Sequence, residues 1–249
     1  MNNEPHRDSS HSARLLAISD IHGHKQGMLR LLREADYSPS RDRLILLGDY
    51  IDADNPVSWS TLELVRELAR QGAVVLPGNQ ELKLVSAHKR SSRRSGVRPS
   101  GRLAAYVKWI QSLPLTHVEA GILFVHAGVR PGIPLASQSI RDLTEIREAF
   151  HAYPVNELAS LIHSDPMNHP LNRFTRIMFG HTPTFKLGAE PGEIWSDDRR
   201  IAIDTGSKHG HRLTLLDVGS GVTYSCQSGA GYSSTDFRVG TAKDRLHRP

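Results

Sequence analysis

The sequence predicts an α/β fold containing a parallel sheet, and three observations carry that prediction. Short apolar runs suited to buried strands alternate with segments of helical period through the first third of the chain. Four apolar runs end at a residue with an oxygen or imidazole donor, the edge where open α/β sheets place their ligands. The central one is Leu44-Ile45-Leu46-Leu47, which stops at Gly48 and is followed at once by Asp49.

The elements follow in order. Leu15–Ser19 reads as a first strand and runs into Asp20-Ile21-His22-Gly23. A helix follows with Met28, Leu31, Leu32 and Ala35 on one face. Arg43–Leu47 is the second strand, and Asp49–Val57 a loop. Leu62, Val65, Leu68 and Ala69 predict a helix over Ser60–Gln71, stopped by Gly72. Ala73–Leu76 closes a β-α-β-α-β run, whose crossovers make the strands parallel. Beyond Gly78-Asn79 a helix is expected from Glu81, broken by a basic loop and resumed at Leu103–Ser112. His117–Ala120 and Ile122–Val125 form a hairpin about Gly121, and Ser139–Phe150 reads as one helix. Strand signals recur at Arg176–Phe179, Glu193–Trp195, Arg200–Ile203, Arg212–Val218 and Val222–Ser225, with an antiparallel second sheet expected among them. One domain is therefore expected over 14–227, between a disordered tail at 1–13 and a polar tail at 228–249.

Composition narrows the function class. The chain has 249 residues, 38% hydrophobic and 23% charged, which is ample for one large core. No apolar run approaches the ~20 residues of a membrane helix, and the polar start lacks a signal-peptide core, so a cytoplasmic protein is expected. The single cysteine, Cys226, excludes an internal disulfide and fits a reducing compartment. The net charge of +5 is concentrated in a basic insert at 89–102, which holds six Lys and Arg and no acid. With so few aromatics beside it, a nucleic-acid surface is poorly supported. The insert reads as a solvated loop, with attraction of a phosphate-rich substrate as its functional alternative.

The strand ends collect Asp20, His22, Asp49, Asn79, His126 and His181. Two carboxylates, three imidazoles and one amide oxygen suit borderline metals such as Mn, Fe, Zn or Ni rather than a thiolate site. Six ligands exceed what one open catalytic metal takes, and suit two ions sharing a carboxylate. Any one of these short motifs alone would be a weak signal; their order along the chain is what makes the set specific.

Asp20-Ile21-His22-Gly23, Gly48-Asp49-Tyr50-Ile51-Asp52, Gly78-Asn79-Gln80-Glu81, His126-Ala127-Gly128 and Gly180-His181-Thr182-Pro183 resemble the ordered motif blocks of the calcineurin-like metallophosphoesterases. The resemblance is to their phosphoprotein phosphatase branch, which includes bacterial serine/threonine phosphatases and symmetrical bis(5′-nucleosyl)-tetraphosphatases. It implies a four-layer fold, two mixed sheets packed face to face with helices outside. It also implies two divalent or trivalent metal ions, manganese foremost, with Asp20 and His22 on the first, Asn79, His126 and His181 on the second, and Asp49 between them. Metal-bound hydroxide would attack phosphorus in line, and Arg147 matches a phosphate-binding arginine. The partners so implied are a phosphorylated small molecule, a dinucleoside polyphosphate or a phosphoprotein.

Two positions depart from the pattern. Ala53 stands where an arginine usually follows Asp52, and Gln80 stands where a histidine usually protonates the leaving group. Glutamine donates a hydrogen bond but no proton, and loss of a general acid costs roughly 10²–10⁴-fold. Asp52 would thereby lose the ring it orients; His24, His209 and His211 are candidates for a replacement acid by proximity to the motifs. Phosphoanhydrides and activated esters need less acid help than phosphoserine, so the pattern favours them. The alternative is a catalytically weakened phosphate- or nucleotide-binding regulatory relative.

Overall fold

The computed structural model describes residues 13–95, 101–164, 173–228 and 236–242. Two sheets form. The first has β1 (Arg14–Ile18), β2 (Asp42–Leu46) and β3 (Val74–Val75) in parallel, linked through α1 (Lys25–Glu34) and α2 (Thr61–Arg70). After α3 (Asn79–Ser95) and α4 (Gly101–Ile110) the chain enters the second sheet with β4 (Thr116–Glu119) and β5 (Ile122–Val125). Three helices follow: α5 (Ile140–Glu145), α6 (Glu148–His151) and α7 (Val155–Ser164). Then come β6 (Arg176–Phe179), β7 (Trp195–Ser196) and β8 (Arg200–Ala202), giving the order β4-β5-β6-β8-β7. β9 (Arg212–Asp217), β10 (Val222–Gln227) and β11 (Phe237–Thr241) return to the first sheet, ordered β11-β10-β9-β1-β2-β3.

Strand alternation sorts side chains into three cores. Leu16 and Ile18 of β1 pack with α1 and α2 residues such as Met28, Leu31 and Val65. Leu15 and Ala17, on the other face, meet Ile122 and Phe124 of β5 between the sheets. Leu123 and Val125 turn the opposite way, onto Leu143, Phe150 and Leu158 of α5, α6 and α7. Three cores between helices, sheet, sheet and helices make the four layers that were expected.

Several local expectations are corrected. The late strands do not build an antiparallel sheet of their own: β9 pairs antiparallel with β1, whereas β8 pairs parallel with β6. The helix expected over Ser139–Phe150 is two helices, because Ile146 is extended (ψ 145°) and Arg147 caps α6. The expected polar tail contains β11, which pairs with β10 through Cys226↔Phe237 to Val222↔Thr241. The basic insert is no loop up to Ser95, since α3 carries Lys89, Arg90, Arg93 and Arg94 as continuous helix. At 1.5 Å per residue that helix places them about 15–22 Å along its axis from Asn79. Gly101 and Arg102 of the insert open α4; insert residues 96–100 and residues 1–12 of the expected tail lie outside the described residues, as do 165–172, 229–235 and 243–249.

Candidate metal centre

The ends of β1, β2, β5 and β6 and the start of α3 bring all six expected ligands together. The backbone bends sharply there. Asp20 (φ 52°), His22 (φ 48°), Asp49 (φ 52°) and His181 (φ 63°) all adopt left-handed conformations, at a cost of order 1–3 kcal/mol each that surrounding structure must offset. Three backbone hydrogen bonds knit the first two turns together: Asp20 N–H to Gly48 O (3.1 Å), His22 N–H to Asp49 O (2.9 Å) and Gly23 N–H to Tyr50 O (2.8 Å). Two glycines make the close approach possible. A Cβ on Gly78 would fall on Asp49 Oδ1, and one on Gly180 would fall on Ser19 Oγ and Asp20 Oδ2.

Two donor groups share one residue. Asp20, His22 and Asp49 converge on one side, and Asp49, His126 and His181 on the other, each with donor atoms within 4.8 Å of one another. His22 Nε2 lies 3.8 Å from Asp20 Oδ1 and 3.7 Å from Asp49 Oδ2. His126 Nε2 lies 3.5 Å from Asp49 Oδ1 and 3.3 Å from Asn79 Oδ1. In each ring the second nitrogen is tied down: His22 Nδ1 to Asp52 Oδ1 (2.9 Å) and His126 Nδ1 to Leu47 O (2.7 Å). Such bonds set the ring plane and aim the other nitrogen, as in metal-ligating histidines.

The donor set fits a cation. Asn79 Oδ1 faces His126 Nε2 (3.3 Å), Asp49 Oδ2 (3.1 Å) and His181 Nδ1 (2.9 Å). Lone pairs meeting lone pairs are unfavourable unless a cation lies among them or the amide turns over. The turned amide would satisfy the metal-free network, including Lys83 Nζ and Gln80 Nε2 at its other end. With its oxygen turned inward, the amide would offer the donor that an ion among these groups takes.

Electrostatics match. Burial alone would lower His22, but contacts with Asp20, Asp52 and Asp49 outweigh it and raise the ring to about 10. Asp20, whose burial would raise it, is held at about 2 by His22, His126 and Ser19. Burial and Asp20 keep Asp49 above the usual carboxylate range. Burial, His126 and Arg147 push His181 down to about 3, so its ring is neutral and free to act as a ligand.

The other expected residues divide. Asp52 is not left without a ring: it orients His22 and also accepts from Lys208 Nζ (2.6 Å). Gln80 uses its backbone N–H on Asp49 Oδ1 (2.9 Å) and its side-chain Oε1 on the Ala53 N–H (3.1 Å). Arg147 hydrogen-bonds Thr182 Oγ1 (3.3 Å) beside His181; Asp142, a rival partner, is taken by Arg130 (2.6 Å). His24 caps α1, and burial together with His22 lowers its pKa, which does not suit a proton donor. His209 and His211 pack edge-on against Phe185, with ring centroids 5.6 and 5.1 Å apart.

Three residues escape sequence reasoning. The fully buried Glu81 accepts from the N–H groups of Gly78 (2.8 Å), Asp49 (2.9 Å), Tyr50 (2.9 Å) and Ile51 (3.3 Å), stapling two ligand loops together. Burial and Asp49 raise it to about 7. Ser207 Oγ donates to the Asp20 carbonyl. Lys208 follows it. Glu81 had a visible signal, a carboxylate two residues after a ligand; the other two come from a turn remote in sequence.

A family model for calcineurin-like phosphoesterases matches residues 13–213. The chain belongs to that family. Among curated relatives, the symmetrical bis(5′-nucleosyl)-tetraphosphatase of Aromatoleum aromaticum is 29% identical over 191 residues, 74% of this chain and 60% of the relative. That of Methylococcus capsulatus is 27% identical over 190 residues, 74% of this chain and 58% of the relative, so the chain spans about three-fifths of these two proteins. That of Stutzerimonas stutzeri is 26% identical over 267 residues, covering 85% of this chain and 96% of the relative. Among solved structures, one assigned provisionally as a diadenosine tetraphosphatase superposes with a TM-score of 0.63 at 20% identity, covering 89% of this chain and 96% of that one. A protein serine/threonine phosphatase from Saccharomyces cerevisiae gives 0.54 at 14% identity, with 94% and 81% covered. These two solved proteins share the fold with this chain. No described helix is long and apolar enough to cross a membrane.

Proposed function

We propose that the chain is a dinuclear metal-dependent phosphoesterase acting on phosphoanhydrides, with a dinucleoside polyphosphate as the substrate class. The observation that carries it is Asp49, the one residue common to both donor groups. In this reading Asp20, His22 and Asp49 hold one ion, and Asp49, Asn79, His126 and His181 the other, manganese foremost. Bound there, two ions polarise phosphoryl oxygens and acidify water.

The protein's own groups set the geometry. Asp52 and the Leu47 carbonyl accept from Nδ1 of His22 and His126 and turn both Nε2 atoms toward the donor groups; with an ion bound beside it, His22 would give up the Nε2 proton that the raised ring otherwise carries. Glu81 and the Gln80 amide hold the Asp49 loop and its Oδ1. Arg147 stands beside His181, and with Thr182 its one hydrogen-bond partner among the described residues it has N–H groups to offer a phosphoryl oxygen. No imidazolium faces the leaving group from position 80, so a group that departs as a stable anion is preferred. A nucleoside di- or triphosphate meets that need and a serine alkoxide does not. The tetraphosphatase names of the curated relatives support the same substrate class. The weakened regulatory relative is not favoured, because the ligand set and its supporting bonds are intact.

The test loads the protein with Mn²⁺ and compares diadenosine tetraphosphate, p-nitrophenyl phosphate and a phosphoserine peptide. Diadenosine tetraphosphate should turn over fastest and the peptide slowest. Phosphoserine turnover equal to or faster than the anhydride would reject the leaving-group argument.

A further inference from the structure

Lys208 lies in a short turn, Ser207–His209, between Gly206 (φ 88°) and Gly210 (φ 74°). That turn is pinned from both sides. Buried Ser207 donates its hydroxyl to the Asp20 carbonyl, and Ser228 Oγ donates to the Ser207 carbonyl (2.7 Å). The Lys208 backbone is thereby fixed to the metal-ligand loop, while its side chain remains 45% exposed. Its ammonium reaches Asp52 Oδ1, the same oxygen that takes His22 Nδ1.

This contact does not account for the lysine. Among the described residues Asp52 is its one polar partner, which leaves two of its three N–H donors for a ligand. A half-exposed ion pair of this kind contributes little to stability. The bond Asp52 needs for site geometry is the one to His22, which the lysine does not make. On this flank the residue after Asp52 is Ala53, which carries no charge. Lys208 is thus a half-exposed cation on a rigid stem, beside a centre built on carboxylates.

We propose that Lys208 is a substrate-binding residue that leaves Asp52 to grip the phosphate next to the one attacked. The proposal rests on the phosphoesterase reading and deepens it. Metals and Arg147 account for one phosphoryl group; a polyphosphate brings further anionic oxygens that need a cation outside the metal pair, whereas a monoester does not. Lys208 therefore selects for chains of phosphates. A charge-assisted hydrogen bond of this kind is worth roughly tenfold to a hundredfold in affinity.

The experiment titrates Mn²⁺-loaded wild type, Lys208→Met and Lys208→Arg calorimetrically with the β,γ-methylene analogue of ATP and with orthophosphate. Lys208→Met should weaken the analogue about tenfold or more and orthophosphate less than about threefold, with metal content unchanged, and Lys208→Arg should restore the analogue to within about threefold. Equal losses for both ligands, loss of metal, no loss at all, or failure of Arg to restore binding would each overturn the proposal. Wild-type turnover is read separately. A protein that hydrolyses no ester or anhydride but binds the analogue through Lys208 sinks the phosphoesterase reading and overturns the substrate role, keeping Lys208 as a polyphosphate-binding residue alone.

Discussion

At the scale of single residues, the site depends on groups that never meet a substrate. Glu81 satisfies four backbone N–H groups that no water reaches. Replacing it by Gln offers one acceptor where two were used and sets an amide N–H₂ against other donors. Glu81→Gln should therefore lose about 2–4 kcal/mol in urea unfolding, with weakened metal retention. A loss under about 0.5 kcal/mol would mean the cradle is dispensable. Gln80→His is the converse case, since it adds a group able to protonate an alkoxide. It should raise phosphoserine hydrolysis by roughly tenfold or more while changing anhydride hydrolysis less. No gain on phosphoserine would show that the absent acid is not what limits alkyl esters. Arg147→Ala should raise KM for any phosphate substrate at least about tenfold; an unchanged KM would show that Arg147 does not bind phosphate.

Elements act by holding strand ends in register. Arg14 and Asp42 are the first residues of β1 and β2 and face one another in the ladder. Their side chains form a two-pronged ion pair, Nε to Oδ1 (2.8 Å) and Nη2 to Oδ2 (2.9 Å), and the Ser38 N–H adds a third bond (2.8 Å). Burial raises the Asp42 carboxyl, but Arg14 and Ser38 outweigh it and hold it below its free value. A depressed carboxyl contributes its full stability above the free value of about 3.9 and loses it as the pH falls through the lower folded value. Asp42→Asn should therefore cost about 1–3 kcal/mol at pH 7, and the gap to wild type should close below about pH 4. A gap independent of pH would contradict this. Gly180 marks where the residues that follow β6 meet those that follow β1, from one sheet to the other. A Cβ there meets Ser19 and Asp20 rather than a flexible side chain, so Gly180→Ala should displace Asp20 and abolish metal binding, as read by metal content against a folded circular-dichroism spectrum.

For the whole molecule, four layers serve to bring strand ends from two sheets to one point. The ligand-bearing ends were legible because each combines an apolar run, a break and a donor within a few residues, as in Leu44 to Asp49. Everything decided by distant pairing was not. Phe237-Arg238-Val239-Gly240-Thr241 is exposed and polar enough to pass for a tail, and becomes β11 only because β10 offers an edge. The break at Ile146 has no proline or glycine to announce it; it arises as the α5 end docks on β5, where the Ala127 N–H bonds Leu143 O (2.9 Å). Lys208 is invisible for the same reason, since nothing local relates it to Asp52 across 156 residues. The basic segment misleads in the opposite direction: its charge is conspicuous, yet α3 carries Lys89, Arg90, Arg93 and Arg94 away from the metal centre.

Both donor groups are completed by the one carboxylate of Asp49. Metal content of the purified, Mn²⁺-loaded chain, compared between wild type and Asp49→Ala at matched thermal stability, tests that most directly. Wild type should hold about two equivalents, and Asp49→Ala should lose both together, because the same carboxylate completes each donor group. A wild type that saturates at one equivalent, or an Asp49→Ala variant that keeps one ion at undiminished affinity, would contradict the shared centre.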